Sequence, residues 1–351
     1  MRMTLSVVGL VMALSAAAGA QARFTVSIPV LVLDHQGQPI PGLDGDQFRL
    51  SDNGRPQRIS GFSSTVQTVA LAVVVDTGDR DAVGQAQRTA QLLAAMVMGD
   101  LGVAGVYIGG PNPHQVLAFT GDQDQVVKTL QHLELSPAAP QGASPLAEAA
   151  KQALLDLSHR PETETRALLL IAKDNGAGAA AAATLQTALA GAIPIFRVAP
   201  RRPQGASAPS NPDSVEAGGA GPGSQRDDQL PPGSAGRGTV ASSGTDAANV
   251  DLTPVAGAAK GAAGAILTPH AGDYVYASGG LTLGAGSDAD FDRKLVAVGA
   301  DLRGIYWLSY QPDDLGMHER RHAVSVRVIR QPGQPAPDAL AYRRGYWAPI
   351  K

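Results

Sequence analysis

Three continuous apolar runs constrain the fold of this chain more strongly than any other feature. They are TVALAVVVD (68–76), RALLLIAK (166–173) and AIPIFRVA (192–199). A strand is apolar at nearly every position when both of its faces are buried. Stretches with helical spacing separate these runs, at 81–98, 122–133, 144–158 and 179–190. Strands that alternate with helices predict an α/β fold, in which helices cover both faces of a parallel sheet.

The two ends of the chain have a different pattern, typical of antiparallel strands. Phe24–Asp34 is rich in β-branched residues, and Asp52-Asn53-Gly54 is a strong signal for a tight hairpin. Near the other end, 323–329 alternates with period two, and 339–347 is a last strand. We predict a small β-sandwich-like domain built from 24–65 and 318–349. The α/β domain, at 66–200 and 271–311, is then inserted within it.

The segment 201–270 separates two parts of the predicted α/β domain. It consists mainly of Gly, Ala, Ser and Pro, with few large aliphatic residues and almost no aromatic ones. Such a composition buries too little apolar surface to offset an ordering cost of about 1–2 kcal/mol per residue. We predict a disordered insertion.

The first twenty residues have the pattern of an export signal. Arg2 is the only charge, an apolar run follows, and Ala18-Gly19-Ala20 supplies the small residues of a cleavage site. The run is shorter than the ~20 apolar residues that cross a bilayer, although an N-terminal anchor is the alternative. We predict a periplasmic or secreted protein with no membrane span after signal removal. The net charge of −3 gives no reason to expect a nucleic-acid partner.

Three groups of motifs resemble a known family. They are the opening VLDHQGQPIPGLDGDQFRLSDNGRPQRISGF, the central LAVVVDTGD, GASPLAEAAKQAL and LLLIAKDNG, and the ending DLRGIYWLSYQP and YRRGYWAP. Together they are similar to exported von Willebrand factor A-related proteins of the acidobacterial type. The resemblance implies a Rossmann-like von Willebrand factor A domain and a protein partner. It also implies a metal-ion-dependent adhesion site at the carboxyl ends of the parallel strands.

The family's metal site has the pattern Asp-x-Ser-x-Ser, then a Thr from a later loop and an Asp after the fourth strand. Asp76 matches the first position, and Ser144 can stand for the threonine. Gly78 and Arg80 replace the two serines, so two oxygen ligands are missing. Mg²⁺ requires oxygen ligands in octahedral geometry. We predict a degenerate site without a metal cofactor, with Mg²⁺ binding as the alternative.

Two features of the pattern each allow two interpretations. One is the residue at the last ligand position, and the other is the group that supplies the positive charge of the site. The last ligand aligns with either Lys173 or Asp174. We expect Arg80 to replace the ion as the local positive charge, paired with Asp76, Asp79 or Asp174. At 5 Å from a divalent ion, a facing guanidinium would repel it by about 6–7 kcal/mol at an effective dielectric of 20. The alternative is a solvated loop with no special role.

The segment His318-Glu319-Arg320-Arg321-His322 matches the zinc-protease pattern H-E-x-x-H. Two ligands four residues apart share one ion only on a helix, whereas in a strand they are about 13 Å apart. A clear strand pattern follows directly, which is unfavourable for a zinc site. We therefore predict a non-enzymatic, adhesion-type module that binds an unknown protein through residues 76, 78–80, 144 and 174. A zinc-dependent hydrolase and a structural envelope protein without a specific ligand are the alternatives.

Overall fold

A computed structural model describes residues 24–65, 67–98, 102–137, 144–173, 179–200, 273–313 and 321–348. The predicted signal at 1–20, the predicted insertion at 201–270, His318 and Asp174 lie outside the described residues. Within those ranges no helix is long and apolar enough to cross a bilayer.

A six-stranded sheet forms the centre of the α/β part. Its strands are β5 (Val69–Val75), β6 (Val103–Ile108), β7 (His114–Thr120), β8 (Thr165–Ile171), β9 (Ile195–Ala199) and β10 (Thr282–Gly284). The order is β10-β9-β8-β5-β6-β7, and every neighbouring pair is parallel except β6 and β7. This order confirms the predicted α/β class. The strands β5 and β8 lie at the centre, which explains their continuous apolar sequences.

Seven helices lie among the described residues of this part. They are α1 (Arg80–Arg88), α2 (Ala90–Met98), α3 (Gln123–Gln131), α4 (Pro145–Ser158), α5 (Ala179–Gly191), α6 (Asp273–Ser278) and α7 (Asp288–Arg303). Alternate residues of β5 pack on opposite sides. Leu71 and Val73 join the cluster with α1, α2, α3 and α7, whereas Ala70 and Val74 join the cluster with α4, α5 and α6. Both faces of the sheet are therefore covered.

Strands from the two chain ends form two four-stranded sheets whose pairs are all antiparallel. Their bounds are β1 (Val26–Leu33), β2 (Phe48–Asp52), β3 (Arg55–Gln57), β4 (Ile59–Ser63), β11 (Tyr306–Tyr310), β12 (Arg321–Val328), β13 (Ala339–Tyr342) and β14 (Gly345–Trp347). The orders are β13-β1-β11-β4 and β14-β12-β2-β3, and one buried cluster contains residues of both sheets. We call these eight strands the antiparallel region. Asn53 and Gly54 have φ angles of 49° and 77°, and they form the tight β2–β3 turn that the sequence indicates.

The structure corrects one predicted boundary. The sequence placed residues up to 311 in the α/β domain, but β11 pairs with β1 and β4 in the antiparallel region. Tyr306 is buried there, and its hydroxyl donates to the Ile40 carbonyl at 2.7 Å. The error arose because β11 directly follows α7, so it continued the alternation of helix and strand that defines the α/β part.

One buried carboxyl group gives the fold a pH-dependent stability. Asp301 on α7 is 2% exposed, and its Oδ1 has no hydrogen-bond partner among the described residues. Burial raises the pKa of Asp301 from 3.8 to about 7. Between these two values the folded protein binds more protons than the unfolded chain. The free energy of unfolding therefore falls as the pH rises through this window.

Replacing Asp301 by Asn is expected to remove this loss of stability. The two pH units between 5 and 7, at about 1.36 kcal/mol each, correspond to about 2.7 kcal/mol. Urea unfolding at pH 5 and pH 8 should show that the wild-type protein loses this amount relative to Asp301→Asn. The exposed Asp124 on α3 offers a matched control, and Asp124→Asn should follow the wild type. Equal pH dependence in all three proteins would show that Asp301 does not titrate in this range.

Candidate functional site

Loops from several elements meet at the carboxyl end of the central sheet. The loop 76–79 follows β5, residues 109–110 follow β6, residue 144 precedes α4, and residue 173 follows β8. We call these residues, together with Arg80, the carboxyl rim. At Gly110 an added Cβ would lie 2.6 Å from the Thr77 Oγ1, so only glycine fits this close approach. Parallel strands bring their carboxyl ends to one edge, which is where ligands of open α/β sheets bind.

Hydrogen bonds hold the loop after β5 in a fixed shape. The Gly78 amide donates to the Asp76 Oδ1 at 3.0 Å. Asp79 is the N-cap of α1, and its Oδ1 accepts from the Asp81 amide at 2.9 Å. The Ser136 hydroxyl donates to the Thr77 Oγ1 at 3.0 Å, and the Ser136 amide donates to the Thr77 carbonyl at 2.8 Å. The side chains at the carboxyl rim are therefore positioned before any ligand binds.

The ammonium group of a lysine lies beside two carboxylates, one in the carboxyl rim and one in the first turn of α1. The Lys173 Nζ is 3.0 Å from the Asp79 Oδ1 and 3.2 Å from the Asp81 Oδ2. The hydrogen bond to Asp79 raises the pKa of Lys173, so the amine stays protonated at neutral pH. The Arg197 Nη1 donates to the Lys173 carbonyl at 2.8 Å and helps to fix the backbone. Lys173, one of the two candidates for the last position of the family pattern, therefore brings a positive charge to the carboxyl rim, and the other candidate, Asp174, lies outside the described residues.

Arg80 does not pair with either of the predicted aspartates that the structure describes. It is the first residue of α1, it is exposed, and it forms no ion pair with any residue that the structure describes. The prediction that Arg80 pairs with Asp76 or Asp79 is wrong, since the ammonium of Lys173 contacts Asp79 instead, and the third predicted partner, Asp174, lies outside the described residues. The sequence did indicate that Lys173 lies at the carboxyl end of the sheet, because it is the second residue after the buried strand β8.

Two buried oxygen atoms of the predicted site have no partner among the described residues. They are the Ser144 Oγ, just before α4, and the Asp79 Oδ2, on the carboxylate that also contacts Lys173. Buried polar atoms without partners are uncommon and costly in folded proteins. Any hydrogen-bond donor for these two atoms must therefore come from outside the described residues.

The residues present do not fit the magnesium ion that the family resemblance implies. Gly78 carries no side-chain oxygen, Arg80 is exposed to solvent, and the Asp76 Oδ1 already accepts a backbone hydrogen bond. The ammonium of Lys173, which lies 3.0 Å from the Asp79 Oδ1, would also repel a divalent ion bound by the same carboxylate. Among the described residues no three His, Cys, Asp or Glu side chains are grouped to hold a metal.

The second candidate site, the H-E-x-x-H segment, contains one described histidine. The strand predicted after this segment is confirmed, and His322 lies within it, in β12. Its ring is buried and stacks on the Tyr346 ring, with 4.6 Å between the two ring centroids. Its Nδ1 lies 2.8 Å from the Asp52 Oδ1. The Tyr310 and Tyr346 hydroxyls donate to the Asp52 Oδ2 at 2.9 and 2.7 Å. This contact set accounts for His322 as part of a buried network of the antiparallel region.

Comparisons with known proteins give matches only among solved structures. No protein-family profile and no curated protein matches this chain. A von Willebrand factor type A structure from Catenulispora acidiphila is 8% identical, with 94% of this chain and 75% of that chain covered and a TM-score of 0.41. The conserved hypothetical protein BatB from Bacteroides thetaiotaomicron is 22% identical, with 43% of this chain and 72% of that chain covered and a TM-score of 0.31.

A third similar structure is the vWF domain of the type V pili tip protein Mfa5 from Porphyromonas gingivalis. It is 14% identical, with 30% of this chain and 38% of that chain covered and a TM-score of 0.26. At these identities and scores the matches carry no argument about activity or partners. The α/β class of this chain stands on its own strand order and strand directions.

The geometry of the carboxyl rim leads to a prediction about metal binding. Isothermal titration of Mg²⁺ or Mn²⁺ into the wild-type protein should give no binding tighter than about 1 mM, because the ammonium of Lys173 opposes a second cation. The triple variant Gly78→Ser, Arg80→Ser, Lys173→Asp restores three oxygen ligands and should bind either ion more tightly. Position 78 tolerates a side chain, since an added Cβ meets only the Asp76 Oδ1 at 3.3 Å. Sub-millimolar binding by the wild type would contradict this account.

Proposed function

We propose that this chain is an exported, non-enzymatic protein-interaction module that binds its partner at the carboxyl rim without a divalent metal. The observation that carries the proposal is the ion pair of Lys173 with Asp79 and Asp81, at 3.0 and 3.2 Å. In a metal-dependent adhesion site, a divalent ion offers a positive charge to an acidic side chain of the partner. Here the positive charges of Lys173 and Arg80 are part of the protein itself.

The charges and shape of the carboxyl rim suit recognition of a protein surface. The Lys173 side chain is 45% exposed, so a partner can contact the ammonium while Asp79 holds it in place. Arg80 is also exposed, as the first residue of α1. Electrostatic complementarity of this kind directs association and selects partners.

Sequence motifs support a degenerate metal site and export of the chain. The motifs LAVVVDTGD, GASPL and LLLIAKDNG resemble a von Willebrand factor A domain with a degenerate metal site. The signal-like residues 1–20 support export to the periplasm or beyond. We prefer this function to zinc-dependent hydrolysis, because the described contacts of His322 belong to a buried network with Asp52 and two tyrosines.

Photo-crosslinking in the native cell envelope tests the proposed binding surface. A benzoylphenylalanine replacing Glu148, which is exposed in the first turn of α4 one turn from Ser144, should form a specific protein adduct. The same residue at Val296, which is 52% exposed on α7, should not. Treatment with EDTA should leave the adduct unchanged. Equal adducts at both positions, or loss of the adduct with EDTA, would contradict the proposal.

A charge reversal at the carboxyl rim gives a second measurement on the same surface. Lys173→Glu, combined with the crosslinker at position 148, is expected to reduce the adduct about tenfold or more, because it replaces a cation by an anion beside Asp79 and Asp81. Lys294→Glu on α7 changes the net charge equally. It should leave the adduct yield within about twofold of that of the protein that carries the crosslinker alone. Far-ultraviolet circular dichroism would verify that both variants are folded.

A further inference from the structure

An exposed leucine lies in a loop that contacts the carboxyl rim. Leu135 is 48% exposed, and three other large hydrophobic side chains among the described residues are also exposed. Phe62 belongs to the antiparallel region and stacks on the Tyr306 ring. Leu155 is near the end of α4 that is away from the rim, and Val296 is on α7. Single exposed hydrophobic residues are normal on protein surfaces, so it is the setting of Leu135 that distinguishes it.

The loop that carries Leu135 is fixed on both sides of this residue. Before it, Leu133 is buried in the core, and the Leu133 carbonyl accepts from the Gln87 Nε2 at 2.7 Å. After it, the Ser136 amide donates to the Thr77 carbonyl at 2.8 Å, and the Ser136 hydroxyl donates to the Thr77 Oγ1 at 3.0 Å. Leu135 is therefore presented to solvent by an ordered segment, which a partner does not have to order on binding.

The same contacts limit the distance between this leucine and the charge of Lys173. A continuous path leads from Leu135 through the Ser136–Thr77 hydrogen bond to Asp79 and its ion pair with Lys173. Even if fully extended, this path keeps the Leu135 Cα within about 20 Å of the Lys173 Nζ. A standard protein interface covers about 800 Å² on each partner, which corresponds to a disc about 30 Å across. One partner of ordinary size can therefore cover both groups.

The two groups recognise different chemistry. The ammonium of Lys173 is 45% exposed and attracts a carboxylate, through a charge-assisted hydrogen bond. The side chain of Leu135 offers only apolar contact. Burying the exposed half of a leucine side chain is worth about three- to tenfold in affinity. Protein interfaces commonly combine an apolar contact with charged groups around it.

We propose that the partner contacts the carboxyl rim with a segment that carries one acidic and one large apolar side chain. The carboxylate binds the ammonium of Lys173, and the apolar side chain packs on Leu135. This inference rests on the proposed function and adds the chemistry of the partner to it. An extended segment of about six residues, at about 3.3 Å each, is long enough to reach from one group to the other.

Fluorescence anisotropy with the full chain and defined peptides tests this pairing. The probes are labelled twelve-residue peptides of Gly and Ser, each with one Glu and one Phe separated by one to six residues. At the best spacing, replacing the Phe by Ser and replacing the Glu by Gln should each weaken binding about threefold or more. Binding that depends on the Glu but not on the Phe would overturn this inference and leave the proposed function standing. Binding that does not depend on the Glu at any spacing would overturn both.

Variants of the chain assign each preference to one side chain. Leu135→Ser should bind the Phe peptide and its Ser control equally, while it still prefers Glu to Gln. Lys173→Glu should lose the preference for Glu, and Leu135→Met, which keeps an apolar side chain, should retain the preference for Phe.

The matched control is Val296→Ser, which removes an exposed hydrophobic side chain on α7 and should retain both preferences. Far-ultraviolet circular dichroism would verify that each variant is folded. Survival of the preference for Phe in Leu135→Ser, or its equal loss in Val296→Ser, would overturn the assignment to Leu135.

Discussion

The ion pair between Lys173 and the carboxylates of Asp79 and Asp81 is the interaction on which this account of the molecule depends. It exists because β5 and β8 are adjacent and parallel in the sheet, so that the loop after one strand lies beside the loop after the other. Asp79 is held as the N-cap of α1, and the Lys173 carbonyl accepts a hydrogen bond from Arg197. The sheet therefore fixes a positive charge at its carboxyl edge without a bound ion.

The antiparallel region is anchored to the α/β part by buried contacts. Leu31 and Leu33 of β1 belong to the same hydrophobic cluster as the helices on one face of the central sheet. On the other face, the buried guanidinium of Arg343 donates to the carbonyls of Leu189 and Ser27, which joins α5 to β1. Burial lowers the pKa of Arg343 to about 10, so the side chain remains charged at neutral pH. The α/β part and the antiparallel region are thus joined into one packed structure.

The sequence predicted the α/β class, the hairpin at Asn53-Gly54 and the strand that contains His322, because each depends on local patterns of apolar residues or turns. It did not identify Lys173 as the partner of Asp79, since 94 residues separate them and only the sheet order brings them together. The same limit applies to Leu135, whose position beside the carboxyl rim depends on the hydrogen bonds between Ser136 and Thr77. The assignment of β11 failed for a related reason, since nothing in Tyr306–Tyr310 itself shows which sheet it joins.

A crystal structure of the protein grown with about 1 mM Mn²⁺, a concentration at which a functional divalent site would be occupied, tests the central claim most directly. We expect the Lys173 Nζ to remain near 3.0 Å from the Asp79 Oδ1, as it is here. We also expect no anomalous density beside the Asp76 carboxylate. Strong anomalous density at that position, with the lysine side chain displaced toward solvent, would contradict the account.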